Sequence, residues 1–216
     1  MSIKGAIFDM DGTLLDSMHL WINIGPRYLE SKGIEYTDKI AADTKLMLLP
    51  EMGQYFIDNL GFSLSVSEFI DEVNAMVEHG YYYEVPAKDG VAEFLESLHK
   101  MGVPMVVATA TDRHLVEAAL KRTGIYDYFD RIFTCGEEGV DKSVPTIFDH
   151  ALSFLGTDKS ETYVFEDTFT PIKTLYNSGY NFIAVYDKWS AKHSDEIRNL
   201  ANLYVTRLDE IDIAKL

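Results

Sequence analysis

Asp9 and Asp11 stand two residues apart, directly after a short, mostly apolar run from Ile3 to Phe8. The same arrangement recurs along the chain. Val103 to Ala108 leads into Thr109 and Thr111, and Thr162 to Phe165 leads into Glu166 and Asp167. Runs of this kind read as buried strands followed by polar loops. In parallel sheets, ligands bind beyond the carboxyl ends of the strands. Lys142 lies in the loop before a helical pattern that begins at Thr146. Asp9, Asp11, Glu166, Asp167, Thr109 and Lys142 are therefore expected to converge on one crevice.

Clustered carboxylates repel one another unless a cation is present. Hard divalent cations take oxygen ligands, and magnesium with its retained waters suits two or three carboxylates plus a substrate phosphate. No His/Cys cluster points to zinc. A carboxylate, a metal, a lysine and a hydroxyl together suit a phosphoryl group, because the cations screen its charge while an aspartate oxygen attacks phosphorus. A second acid two residues on can protonate the leaving oxygen and then deprotonate the attacking water. One such aspartate alone would pass for a helix cap or turn residue; a set at successive strand ends does not.

The elements that must position these residues alternate. Further apolar runs occur at Arg131 to Thr134, Asn181 to Tyr186 and Leu203 to Thr206. Between the runs lie helical patterns at Val91 to Lys100, Leu115 to Arg122, Thr146 to Leu155 and Pro171 to Ser178, with Gly102, Gly124, Gly156 and Gly179 placed to stop them. Strand–helix alternation predicts an α/β fold, a Rossmann-like doubly wound parallel sheet with helices on both faces and right-handed crossovers. Residues 17–87 break the rhythm. They read as helices only, at Ser17 to Lys32 with an interruption at Gly25-Pro26, at Glu51 to Leu60, and at Ser67 to about His79. This predicts an inserted all-α cap domain at 17–87, over the end of the sheet, and a catalytic core of 1–16 and 88–216. Tyr81, Tyr82 and Tyr83 mark the return to the core and read as hinge packing in preference to substrate stacking.

Composition narrows the function. The 216 residues carry a formal charge of −16, from 35 acidic and 19 basic residues, so no Lys/Arg stripe is available for nucleic acid. The acidity reads as solubility, and an anionic substrate must be attracted locally. Cys135 is the only cysteine, which excludes an internal disulfide and fits a reducing cytoplasm. Gly136, Glu137 and Glu138 follow it, an acidic setting that does not activate a thiol. No signal peptide precedes the first strand, and no apolar stretch approaches the ~18 residues of a membrane helix. A soluble, cytoplasmic monomer acting on a small phosphorylated metabolite is expected, with no nucleic-acid or membrane partner.

Asp9-Met10-Asp11-Gly12-Thr13, Thr109, Lys142 and Glu166-Asp167 resemble, in order, the four motifs of the haloacid dehalogenase-like superfamily. The Asp-x-Asp-Gly-Thr signature is the specific part. The helical block and the run Asp141 to Phe148 look like the β-phosphoglucomutase-like subfamily with its C1-type cap. The resemblance implies that Asp9 forms an aspartyl-phosphate and binds Mg2+, and that Asp11 is the acid/base with its backbone carbonyl on the metal. It implies Asp167 as third metal ligand and Glu166 as holder of a metal-bound water or of a more distant supporting role. Thr109, the Ala110 amide and Lys142 would hold phosphoryl oxygens, while Gly12 and Thr13 shape the turn.

Departures from the subfamily matter too. Ser143 replaces a frequent proline, and Pro171 stands where many relatives have glycine. Where the subfamily's mutase has a histidine, this chain has Trp21, with His19 two residues early; its cap arginine has no counterpart beyond Lys45. These differences favour a phosphatase over a phosphosugar mutase. Asp11 separates phosphate-ester cleavage from dehalogenase and phosphonate chemistry, which lack that acid. A phospho-receiver domain would carry adjacent acids and half the length, and a non-catalytic binding protein would not need the complete set. Ser17, His19, Trp21, Lys45 and Met47 are candidate cap contacts, of which His19 and Lys45 are retained as substrate residues.

Overall fold

The computed structural model describes residues 3–45 and 47–216. In chain order, β1 (Gly5–Phe8) is followed by α1 (Met18–Trp21), α2 (Ile24–Ser31), α3 (Asp38–Thr44), α4 (Leu49–Leu60) and α5 (Val66–His79). A π-helical turn, Gly80–Glu84, leads to α6 (Val91–Lys100), β2 (Met105–Thr109), α7 (Arg113–Arg122) and β3 (Arg131–Thr134). The remainder is α8 (Cys135–Glu138), α9 (Thr146–Leu155), β4 (Thr162–Glu166), α10 (Phe169–Asn177), β5 (Asn181–Val185), α11 (Ser194–Leu200) and β6 (Leu203–Val205). The chain divides into two compact units, residues 1–18 with 81–216, and residues 19–80.

The larger unit is a six-stranded, all-parallel sheet of order β3-β2-β1-β4-β5-β6. It is the expected Rossmann-like α/β sheet, flanked by helices. Strands buried on both faces are apolar throughout, which is why they read as unbroken runs. Register alternates their side chains. Ile7, Val106, Val164 and Phe182 are paired across neighbouring strands and pack with Ile147, Phe148, Ile172 and Leu175 of α9 and α10. On the other face Phe8 stacks on Phe165 at 4.4 Å between ring centres, with Phe94 of α6 edge-on to both. Each fully buried phenyl contributes about 1.5–3 kcal/mol. Helices end where glycine supplies a left-handed residue, as at Gly156 (φ 66°) after α9.

The smaller unit is helical. Tyr28 of α2, Phe56 of α4 and Phe69 of α5 are buried against one another, and Phe62 joins them. A side chain at Gly53 would strike the Phe69 ring, so α4 and α5 approach closely only because that position is glycine. Ser65 and Glu68 form a capping box at the start of α5.

Two details correct the sequence reading. The first helical stretch breaks at Asn23, which is left-handed (φ 56°), and not at Gly25-Pro26. Pro26 is instead the third residue of α2, where its missing N–H costs no internal hydrogen bond. Helix α3 was not expected; only Ile40 and Thr44 of it are buried, too few to mark a helical stripe. Among the described residues no helix is long and apolar enough to cross a membrane.

Candidate active site

β2, β1 and β4 lie side by side, so their carboxyl ends bring Thr109, Asp9 and Glu166 into one row. The Asp9 amide donates to the Phe165 carbonyl at 2.9 Å, which extends the ladder to the edge of the site. Lys142 reaches the row from the loop before α9. Its buried ammonium donates to Asp9 Oδ1 and, at 2.8 Å, to Glu166 Oε2. The other Glu166 oxygen accepts the amides of Asp167 and Thr168, both at 3.1 Å. One carboxylate oxygen from each of Asp9, Glu166 and Asp167 lies within 4.8 Å of the others, and all three residues are buried.

The turn after β1 brings its own atoms to this group. Thr13 Oγ1 donates to Asp167 Oδ1 at 3.4 Å. Gly12 has φ 87°, and a Cβ there would lie 2.5 Å from Asp167 Oδ2. Only glycine suits both the left-handed backbone and that approach. Asp11 accepts three hydroxyl donors: Ser17 Oγ at 2.5 Å and Tyr81 OH on Oδ1, and Thr111 Oγ1 at 2.6 Å on Oδ2. The Thr111 amide in turn donates to Thr109 Oγ1 at 3.1 Å. Arg122 of α7 holds the carbonyls of Tyr81 and Val85, which fixes the buried phenol.

Burial sets the electrostatics. It raises the Asp9 carboxyl to about 8, helped by Glu166 and opposed by Lys142. Burial also raises Asp167 well above the usual carboxylate range, with Glu166, Asp9 and Asp187 adding to the effect and Lys88 opposing it. For Lys142 burial acts downward, but the charges of Asp9 and Glu166 prevail and raise it. The buried acids are Asp9, Glu166, Asp167 and Asp187; the cations touching the same network are Lys142 and Lys88. The oxygen donors and their spacing fit a hard divalent metal.

The structure thus places Asp9, Glu166, Asp167, Lys142, Gly12 and Thr13 in one contiguous group, with Asp11 and Thr109 joined through Thr111. Ala110 is exposed immediately beyond β2, and His19 and Lys45 are exposed on the helical unit. Cys135 is half-buried, and burial pushes its thiol up to about 11, so it is protonated at neutral pH. Sequence reasoning missed four contributors, Tyr81, Lys88, Asp187 and Ser190. Ser190 Oγ donates to Asp167 Oδ2 at 3.3 Å, and Lys88 Nζ to the Gly12 carbonyl at 2.5 Å. Asp187 directly follows the fifth apolar run and was findable by the strand-end rule; Lys88 carried no signal.

A family model described as haloacid dehalogenase-like hydrolase matches residues 6–185. The chain belongs to the haloacid dehalogenase-like hydrolases. This hydrolase is 31% identical over 168 residues to a validoxylamine A 7'-phosphate phosphatase of Streptomyces hygroscopicus subsp. limoneus, covering 76% of each chain. It is 25% identical to a phosphorylated carbohydrates phosphatase of Thermotoga maritima, over 82% of each. Its fold is shared by CbbY from Rhodobacter sphaeroides, solved in complex with phosphate, at a TM-score of 0.81 and 18% identity, over 97% of this hydrolase and 96% of that chain.

Proposed function

We propose that this hydrolase is a Mg2+-dependent phosphatase that acts on a small phosphomonoester, a sugar phosphate or similar metabolite, through an aspartyl-phosphate on Asp9. The observation that carries the reading is the Asp9 carboxylate, buried at the end of the central strand with Lys142 on one oxygen and a hydroxyl-clamped acid two residues away. The names of the relatives point to the same substrate class.

In the first step an Asp9 oxygen attacks phosphorus and the ester P–O bond breaks. Asp11, protonated for this step, gives its proton to the leaving oxygen. In the second step Asp11, now a carboxylate, takes a proton from water as the water attacks the same phosphorus. The bond to Asp9 breaks, phosphate leaves, and both aspartates are regenerated. Lys142, Thr109 and the Ala110 amide hold the phosphoryl oxygens, while Gly12 and Thr13 keep the turn in place. Asp9, Asp167 and the Asp11 carbonyl would hold magnesium, with Glu166 behind a bound water; when present it supplies positive charge to the phosphoryl oxygens. We further propose that residues 17–87 act as the specificity cap, with His19 and Lys45 as substrate residues. The enzyme is proposed to work as a cytoplasmic monomer.

Phosphate release should be measured with magnesium across sugar phosphates, nucleoside monophosphates, other small phosphomonoesters and pyrophosphate, beside an isomerisation assay on β-glucose-1-phosphate. Asp9→Asn should abolish turnover. Wild-type turnover by that variant, with its mass verified against deamidation, would rule out the mechanism.

A further inference from the structure

Lys88 belongs to no part of the chemistry above, yet its side chain ends inside the site. It leaves the segment between the π-helical turn and α6, where its amide donates to the Leu14 carbonyl at 2.9 Å. Its ammonium donates to the carbonyls of Gly12, at 2.5 Å, and Tyr186, at 2.7 Å, and pairs with Asp187 Oδ2 at 3.3 Å. The side chain is 18% exposed and that of Asp187 is 4% exposed, so bulk water screens the pair weakly. Gly12 is the residue against which Asp167 packs, and Ser190, three residues after Asp187, donates to that same Asp167. Lys88 and Asp167 therefore flank one glycine.

We propose that Lys88 is a resident counter-cation of the acidic site, a positioning residue that holds the Gly12 turn and sets how much positive charge the site must take from a divalent metal. The inference rests on the metal-site reading above. Lys142 neutralises the Asp9 and Glu166 side; Lys88 does so for Asp167 and Asp187. A lysine fixed by two carbonyls cannot follow the metal in and out, so its charge is a constant bias against metal binding. It also lets the acids remain packed together before metal arrives.

The two possible roles of Lys88 differ in sign. A merely structural lysine would, on removal, loosen the turn and weaken metal binding. A counter-cation would, on removal, strengthen it, because the site becomes more negative. Calorimetric titration of the metal-free full chain with Mg2+, repeated with Mn2+, reads this without any catalysis. Lys88→Met should bind Mg2+ more tightly, by about threefold or more, and Asp187→Asn should bind it more weakly by a similar factor. Melting in EDTA should show Lys88→Met less stable than wild type, with a larger rise on adding Mg2+. Unchanged or weaker Mg2+ binding by Lys88→Met overturns the proposal. If that variant does not fold, Asp187→Asn decides alone, and unchanged or tighter binding by it overturns the proposal. A wild type that binds neither metal removes the metal-site reading and this inference with it, whereas wild-type binding with insensitive variants removes only the inference.

Discussion

Replacing Asp9 by asparagine should make the metal-free protein more stable, increasingly so as the pH rises. The substitution keeps the shape of the side chain and removes its charge. In the folded chain burial, then Glu166, raise the Asp9 carboxyl from 3.8 to about 8 despite Lys142. The folded state thus holds this proton more tightly than the unfolded state. The associated stability is complete below about pH 4 and is lost as the pH climbs through 8. A rise of that size corresponds to about 6 kcal/mol, at 1.36 kcal/mol per pH unit. The asparagine variant has no such proton to lose. Its advantage over wild type should be small near pH 5 and reach several kcal/mol by about pH 9. Urea unfolding in EDTA at pH 5, 7 and 9 measures it, because titrations common to both proteins cancel in the difference. Even about a third of the expected effect would shift Tm by several degrees in a chain of this size. A difference that stays flat, or shrinks, between pH 5 and 9 refutes the reasoning. Adding magnesium at pH 9 should close the gap, since the wild type regains positive charge beside Asp9.

Gly12→Ala should cost about 2–5 kcal/mol, from the left-handed backbone and from crowding the Asp167 carboxylate. Urea unfolding reads the cost, and a loss below about 0.5 kcal/mol would show that the turn is not so constrained. Tyr81→Phe removes one of the three hydroxyl donors to Asp11 and should lower kcat about tenfold with little change in KM, equivalent to about 1.4 kcal/mol. Unchanged kcat would mean that Ser17 and Thr111 suffice to hold Asp11.

The parts of this site that were legible in the sequence are those fixed by strand ends. A strand buried on both faces must be apolar throughout, so its last residue is marked by the first polar one. Asp9, Glu166 and Asp167 stand at or just past such boundaries, and Thr109 is the last residue of β2. Lys142 stands at no strand boundary; its loop before the Thr146 helix put it at the crevice, and its place in the order of motifs agreed with that. Lys88 and Ser190 were hidden because their roles depend on tertiary folding. Each lies in a segment whose local pattern says only that the chain is turning. Tyr81 was visible as one of three consecutive tyrosines, but nothing local shows which of them is buried; Tyr83 is 70% exposed and Tyr81 not at all. The break at Asn23 was misplaced for a related reason. Gly-Pro is a common helix breaker, yet a first turn accepts both residues, and a left-handed asparagine leaves no hydrophobic trace.

The sheet order has a consequence for how such a protein is made. β1 precedes the other strands of its sheet in the sequence, but its neighbours are β2 and β4, with Ala6 opposite Met105 and Gly5 opposite Thr162. The strand that carries Asp9 must therefore wait for residues about one hundred and more positions downstream before its ladder can close. The helical unit, built from contacts within 19–80, has no such delay and can form while β1 is still unpaired. A growing chain that has not yet reached Thr162 lacks β4, and with it Glu166 and Asp167. A nascent chain arrested before that point presents Asp9 and Asp11 without the Glu166 and Asp167 carboxylates that complete the buried acidic group.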